Sequence, residues 1–277
     1  MPLDQVDVDE QGKNMTFLEH LEELRWHIMR SVIAIVVFSI AAIVNYRFVF
    51  DKVIFAVTRS EFPLYRAFCK LSHWLYQSDK LCFDTIELNT QNLAVSGQFV
   101  YLMVVSFTVG LILAAPYILW EFWRFLKPAL RESEQKYTTG IVAATSFLFL
   151  AGVAFGYFVL APLSINFFVN FRLTDHIVNQ FTMQSYVSFV STLTLASGVV
   201  FELPLIIFFL AKLGLITSDF LKKYRKHSII VILILASVIT PPDVMSQVLL
   251  TIPVYFLYEV GIFIAKRIET KDPVNET

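Results

Sequence analysis

The chain has 277 residues, of which 56% are hydrophobic and only 16% are charged, and its mean hydropathy is +0.64. A soluble domain carries about 25% charged residues, so this sequence lacks the polar surface that a soluble fold of its length needs. The long uncharged runs predict lipid-facing helices, and the absence of a basic domain gives no support for a nucleic-acid partner. We therefore interpret the chain as an all-α integral membrane protein.

Six apolar runs are candidate transmembrane helices. The first thirty residues are acidic rather than basic, so the first run is interpreted as a retained span and not as a cleavable signal. The predicted spans are residues 28–48, 98–119, 139–160, 187–210, 228–240 and 244–265. The fifth has only thirteen residues before Pro241, fewer than the roughly 20 that cross the hydrocarbon. It is predicted to be short or tilted and to thin the bilayer locally.

The distribution of Lys and Arg predicts the orientation. With six spans, one face receives the N-terminal segment, the second and fourth connecting loops and the tail, which together hold 15 of the 22 basic residues. The positive-inside rule places both termini in the cytoplasm. We predict a single membrane domain over residues 1–277. It comprises an amphipathic N-terminal segment (1–27), a six-helix bundle (28–265) with a long outer loop (51–96), and a tail (266–277).

Prolines and glycines within the spans indicate how the helices pack. Pro116, Pro204 and Pro253 each leave a backbone carbonyl without its helical donor and tend to kink the helix. Kinks at these positions predict a concave bundle. Gly152 and Gly156 form a GxxxG pattern in the third span, which favours close helix packing.

Carboxylates on the predicted cytoplasmic face are candidate binding groups. The segment Thr16-Phe17-Leu18-Glu19 has the form of a capping box, and the helix that it begins continues into the first span. Glu22 and Arg25 are three residues apart and can pair, whereas Glu23 and Arg25 point to different faces. Glu23 is therefore available to an external cation. The alternative is one more solvated charge on an interfacial helix.

The loop after the second span carries a second group of candidates. Phe125 lies at the bilayer edge, and Glu134 lies on the same predicted face as Glu23. The alternative is that Phe125 is an ordinary interfacial anchor and Glu134 an ordinary loop charge.

Two carboxylates lie within the spans. Glu202 is near the middle of the fourth span without a basic neighbour in sequence, and Glu259 lies in the sixth span, nearer the cytoplasmic end. An ionisable group at such depth is costly and marks a functional candidate. The alternative for Glu202 is a protonated carboxyl that is hydrogen-bonded inside the bundle. Asp243 has a structural interpretation as the N-cap of the sixth span.

Cys69 and Cys82 both lie in the long outer loop, on the oxidising side of a bacterial inner membrane. A disulfide between them would contribute roughly 3 kcal/mol in the chain-entropy model. Two unpaired thiols are the alternative. The sequence contains no P-loop, HExxH, Cys-x-x-Cys or nucleophile elbow, so neither a metal site nor a catalytic set is predicted.

Taken together, these residues resemble the TatC family, the multi-spanning receptor subunit of the twin-arginine protein translocase. The motifs that carry the resemblance, in chain order, are His20-Leu21-Glu22-Glu23-Leu24-Arg25, Ala115-Pro116, Phe125 with Pro128-Ala129-Leu130 and Glu134, Phe201-Glu202-Leu203-Pro204, Thr240-Pro241-Pro242-Asp243 with Ser246-Gln247, and Ile252-Pro253 with Tyr258-Glu259. One departure is Val57, at a position where the family often has proline.

The resemblance implies a bacterial inner-membrane protein with no catalytic reaction and no cofactor. It implies binding of folded cargo through signal peptides with consecutive arginines, and assembly with single-span TatA-type and TatB-type partners and with further copies of itself. The driving force would be the proton-motive force. By resemblance, Glu23, Arg25, Phe125 and Glu134 belong to the signal-peptide site, Glu202 is the intramembrane polar residue, and Pro241, Asp243 and Gln247 are partner contacts. A proton-coupled transporter that uses Glu202 and Glu259 is the alternative, although the two halves show no convincing repeat.

Overall fold

The computed structural model describes residues 17–76, 90–127, 138–174, 176, 179–240 and 244–271. In this part of the chain the secondary structure is helical, with one isolated bridge between Gln91 and Thr182. The helices are α1 (Phe17–Val44), α2 (Pro63–Tyr76), α3 (Gly97–Leu126), α4 (Thr138–Phe155), α5 (Ala161–Asn170), α6 (Met183–Phe201), α7 (Leu203–Lys212), α8 (Ser218–Lys223), α9 (Arg225–Ile239) and α10 (Val244–Lys271). This confirms the all-α prediction.

Five helical segments are long and apolar enough to cross a membrane. They are Leu21–Val44, Gly97–Leu126, Gly140–Asn170, Met183–Lys212 and Ser246–Thr270. They correspond to predicted spans one to four and six. The predicted fifth span corresponds to α9. With only 15 residues, α9 is shorter than the roughly 20 residues that cross the hydrocarbon, so it is not among these five. The count of six spans and the cytoplasmic placement of both termini stay predictions. We call the side that the basic residues predict to be cytoplasmic the inner side.

The third span continues ten residues further than the predicted end at residue 160. A π-helical turn, Gly156–Leu160, joins α4 to α5, and Pro162 lies in the first turn of α5. Pro162 is tolerated there because the first N–H groups of a helix have no partner within that helix, so the missing N–H costs no hydrogen bond of α5. Sequence periodicity alone does not reveal this, because the proline reads as a helix end.

The other span prolines act differently from one another. The helices α3 and α10 run through Pro116 and Pro253 without interruption. At Pro204 the helix breaks, and Glu202 is the linking residue between α6 and α7. The carbonyl of Glu202 accepts hydrogen bonds from the next two available N–H groups, those of Leu205 and Ile206, so the break leaves this end of α7 satisfied.

Small residues allow the central helices to approach closely. A Cβ added to Gly152 would lie 2.6 Å from the carbonyl oxygen of Ser197, and one added to Gly156 would lie 2.8 Å from the Ser197 hydroxyl. The GxxxG pattern therefore packs α4 against α6, as predicted. Gly110 makes a similar approach from α3 to α1, where a Cβ would meet the backbone and side chain of Ser39.

The described part of the predicted outer loop, residues 51–76 and 90–96, forms a cap. After the turn Tyr46–Phe48 at the end of predicted span one, the chain continues in the helical turns Val49–Ile54 and Phe55–Thr58 and then in α2. Three tyrosine hydroxyls donate to carbonyls across the cap: Tyr157 to Val53 (2.7 Å), Tyr186 to Ile54 (2.7 Å) and Tyr65 to Pro162 (3.1 Å). Burial raises the pKa of Tyr65 to about 12, so this donor stays protonated at neutral pH.

Two features noted in the sequence lie in this cap. Val57, the position noted above as a departure from the resemblance, is fully buried in the core. Cys69 is disulfide-bonded. Cys82, the other cysteine of the sequence, lies outside the described residues, so the Cys69–Cys82 pairing itself stays a prediction.

The close approach at Gly152 generates a stability prediction. Gly152→Ala should lower the free energy of unfolding by about 1–3 kcal/mol, because the new methyl group would overlap backbone of α6. Gly140→Ala, the same change in the same helix, meets nothing within 4 Å and should leave stability equal or slightly higher. Thermal unfolding in detergent measures both. Equal melting temperatures for the two variants would contradict the predicted packing.

Candidate functional site

The inner ends of α1 and α3 form the candidate site. The two helices are antiparallel neighbours, since α1 runs toward the outer side and α3 returns from it. On α1, Glu23 and His27 are four residues apart and therefore share one face. On α3, Glu121 and Phe125 have the same spacing. The rings of His27 and Phe125 meet edge to face with centroids 6.0 Å apart, so these faces meet.

Glu121 is the buried centre of this arrangement, with a side chain only 1% exposed. The Nδ1–H of His27 donates to Oε2 at 2.5 Å, and the hydroxyl of Tyr117 donates to Oε1 at 2.8 Å. Both carboxylate oxygens are thus used, which offsets the cost of burying the charge. Glu121 is not among the residues predicted from sequence, because the second span was predicted to end at Leu119. The spacing of Tyr117 and Glu121, four apart at a span end, was the available signal.

The residues predicted to bind the signal peptide differ in how exposed they are and in the contacts they make. Glu23 is half-buried and, within the described part of the chain, takes part in no ion pair. Glu22 and Arg25 are exposed, and the predicted ion pair between them does not form. Phe125 is half-buried against His27. Glu134 lies outside the described residues.

Glu259 has an ion-pair partner in the structure. The guanidinium of Arg225, at the start of α9, donates to Oε2 at 2.7 Å, and the Tyr255 hydroxyl donates to Oε1 at 3.1 Å. Arg225 belongs to the predicted inner loop, so the pair lies toward the inner end of α10. Glu259, the second carboxylate predicted within the spans, is therefore ion-paired, and a functional role for it stays a prediction.

Glu202 is buried, and neither carboxylate oxygen has a hydrogen-bond partner among the described residues. It lies at the α6–α7 break, directly before Leu203 and Pro204. Because an unsatisfied buried carboxyl is destabilising, its presence favours a role other than packing.

Gln247, predicted to contact a partner, makes an internal contact. Its side-chain amide donates to the carbonyl of Leu233 at 3.0 Å, which joins α10 to the short helix α9. Pro241 and Asp243 lie outside the described residues. A separate apolar groove of about 470 Å³ opens at the outer end of the bundle, where Phe168, Phe189 and Val238 are among the lining residues. Over the described ranges, no three His, Cys, Asp or Glu residues are grouped to hold a metal ion.

The described residues include five helical segments that are long and apolar enough to cross a membrane, and a polar cluster lies at the inner ends of two of them. These features define a multi-pass membrane protein. Comparison with known proteins identifies the class. The family model described as "Sec-independent protein translocase protein (TatC)" matches residues 19–253. The TatC of Blattabacterium sp. subsp. Periplaneta americana (strain BPLAN) is 41% identical, over 94% of this chain and 98% of its own length. That of Aquifex aeolicus (strain VF5) is 32% identical, over 91% of this chain and 95% of its own length.

Solved structures agree with these sequence matches. A crystal structure described as that of the twin-arginine translocase receptor TatC has a TM-score of 0.66 and 30% identity, and covers 90% of this chain and 99% of the other. The chain belongs to the TatC family. It is accordingly a multi-pass inner-membrane protein and a component of the Tat translocase, a transport protein rather than an enzyme.

The two buried carboxyls should respond oppositely to the same substitution. Glu202→Met should raise the free energy of unfolding by about 1–3 kcal/mol, because it removes a buried group that has no partner among the described residues. Glu121→Met should lower it by about 3–5 kcal/mol, because it leaves His27 and Tyr117 without their acceptor. Thermal unfolding of the purified variants compares them. A Glu202→Met variant that is less stable than the parent would indicate a partner for this carboxyl.

Proposed function

We propose that this chain is the signal-peptide receptor of the Tat translocase and that it binds Arg-Arg signal peptides of folded proteins at its cytoplasmic face. The observation that carries the proposal is the position of Glu23. It is half-buried, has no ion-pair partner in the described part of the chain, and lies one turn from the contact of His27 with Phe125. Such a carboxylate can accept a cation from outside without breaking an existing pair.

The chemistry of two adjacent arginines requires more than one carboxylate. On an extended peptide, neighbouring side chains point to opposite sides. Each planar guanidinium can pair bidentately with its own carboxylate, so reading both requires two separated acidic groups. Glu23 on α1 and Glu134 in the segment after α3 are our candidates, with Arg25 and Phe125 as further members of the site. Arg25 is exposed on the same helix as Glu23.

The charge pairs alone would bind weakly. An exposed ion pair contributes about 0.2–1 kcal/mol, so two of them supply little affinity. We propose that the apolar part of the signal peptide supplies most of it by contact with the membrane-facing surface. Exposed apolar side chains are present next to the site on α1, including Trp26 and Ile28.

The steps after recognition involve other residues. We propose that TatA-type and TatB-type single-span proteins and further copies of this chain assemble on the bound receptor, and that the proton-motive force drives transport. Glu202 is the candidate polar group for these steps because it is buried and no described residue hydrogen-bonds its carboxyl. Pro241, Asp243 and Gln247 are the candidate partner contacts. The internal ion pair with Arg225 gives Glu259 a structural role, which weakens the case for the proton-coupled transporter that would use it.

The recognition role of the two carboxylates is directly testable. In cells that depend on this chain for export, Glu23→Ala combined with Glu134→Ala should reduce export of a folded reporter behind an Arg-Arg signal about two- to thirtyfold, because two ion pairs of about 0.2–1 kcal/mol each are lost. The matched control is Glu22→Ala, which removes the neighbouring carboxylate on a different face of α1. It should export normally.

Crosslinking separates recognition from later steps. A photo-reactive group beside the arginines of a signal peptide should crosslink to the parent chain and fail to crosslink to the double variant. Glu202→Gln should abolish export and keep this crosslink. Normal export by the double variant would refute the assignment of Glu23 and Glu134.

A further inference from the structure

The cluster formed by His27, Glu121 and Tyr117 has a function that burial alone does not explain. Its three side chains come from two helices, and its carboxylate is 1% exposed with both oxygens occupied. Replacing such a group with an apolar side chain is often neutral or stabilising when all partners are replaced together. A polar cluster at this position is therefore not needed merely to hold α1 against α3.

The position of the cluster relates it to the candidate binding residues. His27 is four residues after Glu23 on α1, and Glu121 is four residues before Phe125 on α3. The antiparallel helices therefore place Glu23 and Phe125 at the same level near the inner side. His27 and Glu121 lie one helical turn further from the inner side. His27 contacts both of these α3 residues, since its Nδ1 bonds Glu121 and its ring meets Phe125.

A second cluster with the same construction occurs elsewhere in the chain. In both clusters a tyrosine donates to one oxygen of the glutamate that follows it by four residues. A basic side chain near the start of the preceding predicted span donates to the other oxygen. Tyr117 and Glu121 with His27 join α1 to α3, and Tyr255 and Glu259 with Arg225 join α9 to α10. The second cluster is part of the α9–α10 hairpin and shares no residue with the first, so it provides a matched comparison.

We propose that Glu121 is a positioning residue for signal-peptide recognition, which holds His27 and thereby sets the relative positions of Glu23 and Phe125. This inference rests on the proposed function. The carboxylate itself is enclosed and does not contact the peptide. It determines the register between the face of α1 that carries Glu23 and the end of α3 that carries Phe125. Bidentate pairing depends on that register, because a guanidinium is planar and directional.

Peptide discrimination distinguishes positioning from simple stabilisation. A lysine ammonium is a compact point charge that tolerates a displaced carboxylate, whereas a guanidinium does not. Loss of the register should therefore weaken binding of an Arg-Arg peptide and leave binding of the corresponding Lys-Lys peptide little changed. A role in stability alone would not change the ratio of the two affinities.

The experiment uses the full-length protein in lipid nanodiscs and fluorescent signal peptides that differ only in Arg-Arg or Lys-Lys. Glu121→Ala should raise the Kd for the Arg-Arg peptide about tenfold and that for the Lys-Lys peptide less than about twofold. Glu121→Gln should keep the Arg-Arg Kd within about threefold, because an amide can accept from Tyr117 and donate to neutral His27. Tyr117→Phe, which removes one of the two hydrogen bonds, is a milder variant if Glu121→Ala does not fold.

The control is Glu259→Ala, which disrupts the second cluster and should lower the melting temperature without changing either Kd. The proposal is overturned if Glu121→Ala keeps the parent's Arg-Arg to Lys-Lys ratio, or if Glu259→Ala changes that ratio equally. Failure of the proposed function has a different signature, since the parent protein itself would then bind both peptides alike, and Glu23→Ala would have no effect on binding.

Discussion

The free-energy cost of placing polar groups in hydrocarbon is the constraint on which this structure depends. Backbone groups satisfy it within helices, which is why the described chain is helical throughout its spans. The carboxylates within the spans differ in whether they satisfy this constraint. Glu121 and Glu259 each bind a basic side chain and a tyrosine hydroxyl, whereas Glu202 has no partner among the described residues. The two paired carboxylates each join one helix to another. Glu202 is a buried polar group whose cost no described residue offsets.

The packing of the bundle follows from the same constraint. Lipid provides no hydrophobic force between apolar helices, so close contact depends on small residues and on local hydrogen bonds. Gly152 and Gly156 bring α4 onto α6, and Gly110 brings α3 onto α1. At the outer side, three tyrosine hydroxyls attach the cap to carbonyls of the chain. The inner ends of α1 and α3 are consequently held in a defined register, and a site for an extended peptide requires such a register.

Much of the candidate site was predictable from residue type and spacing. Glu23 was identified because its neighbours on α1 cannot neutralise it, and Glu202 because it has no basic neighbour in the fourth span. The partner of Glu259 was not predicted, since Arg225 is 34 residues away and only the α9–α10 hairpin brings the two together. Glu121 was missed for a related reason, because its partner His27 is 94 residues away in sequence.

The fold class, the positions of the five long spans, the shortness of the predicted fifth span (α9) and the packing role of the GxxxG glycines could all be predicted from the sequence. Hydrophobicity and helical spacing are local properties, so they can be read without coordinates. Only the tertiary structure decided which carboxylates are paired, that Pro162 follows a π-helical turn within a longer third span, and that the described part of the outer loop forms a cap. Each of these depends on contacts between distant segments, and a buried charge acquires its meaning from the groups that surround it.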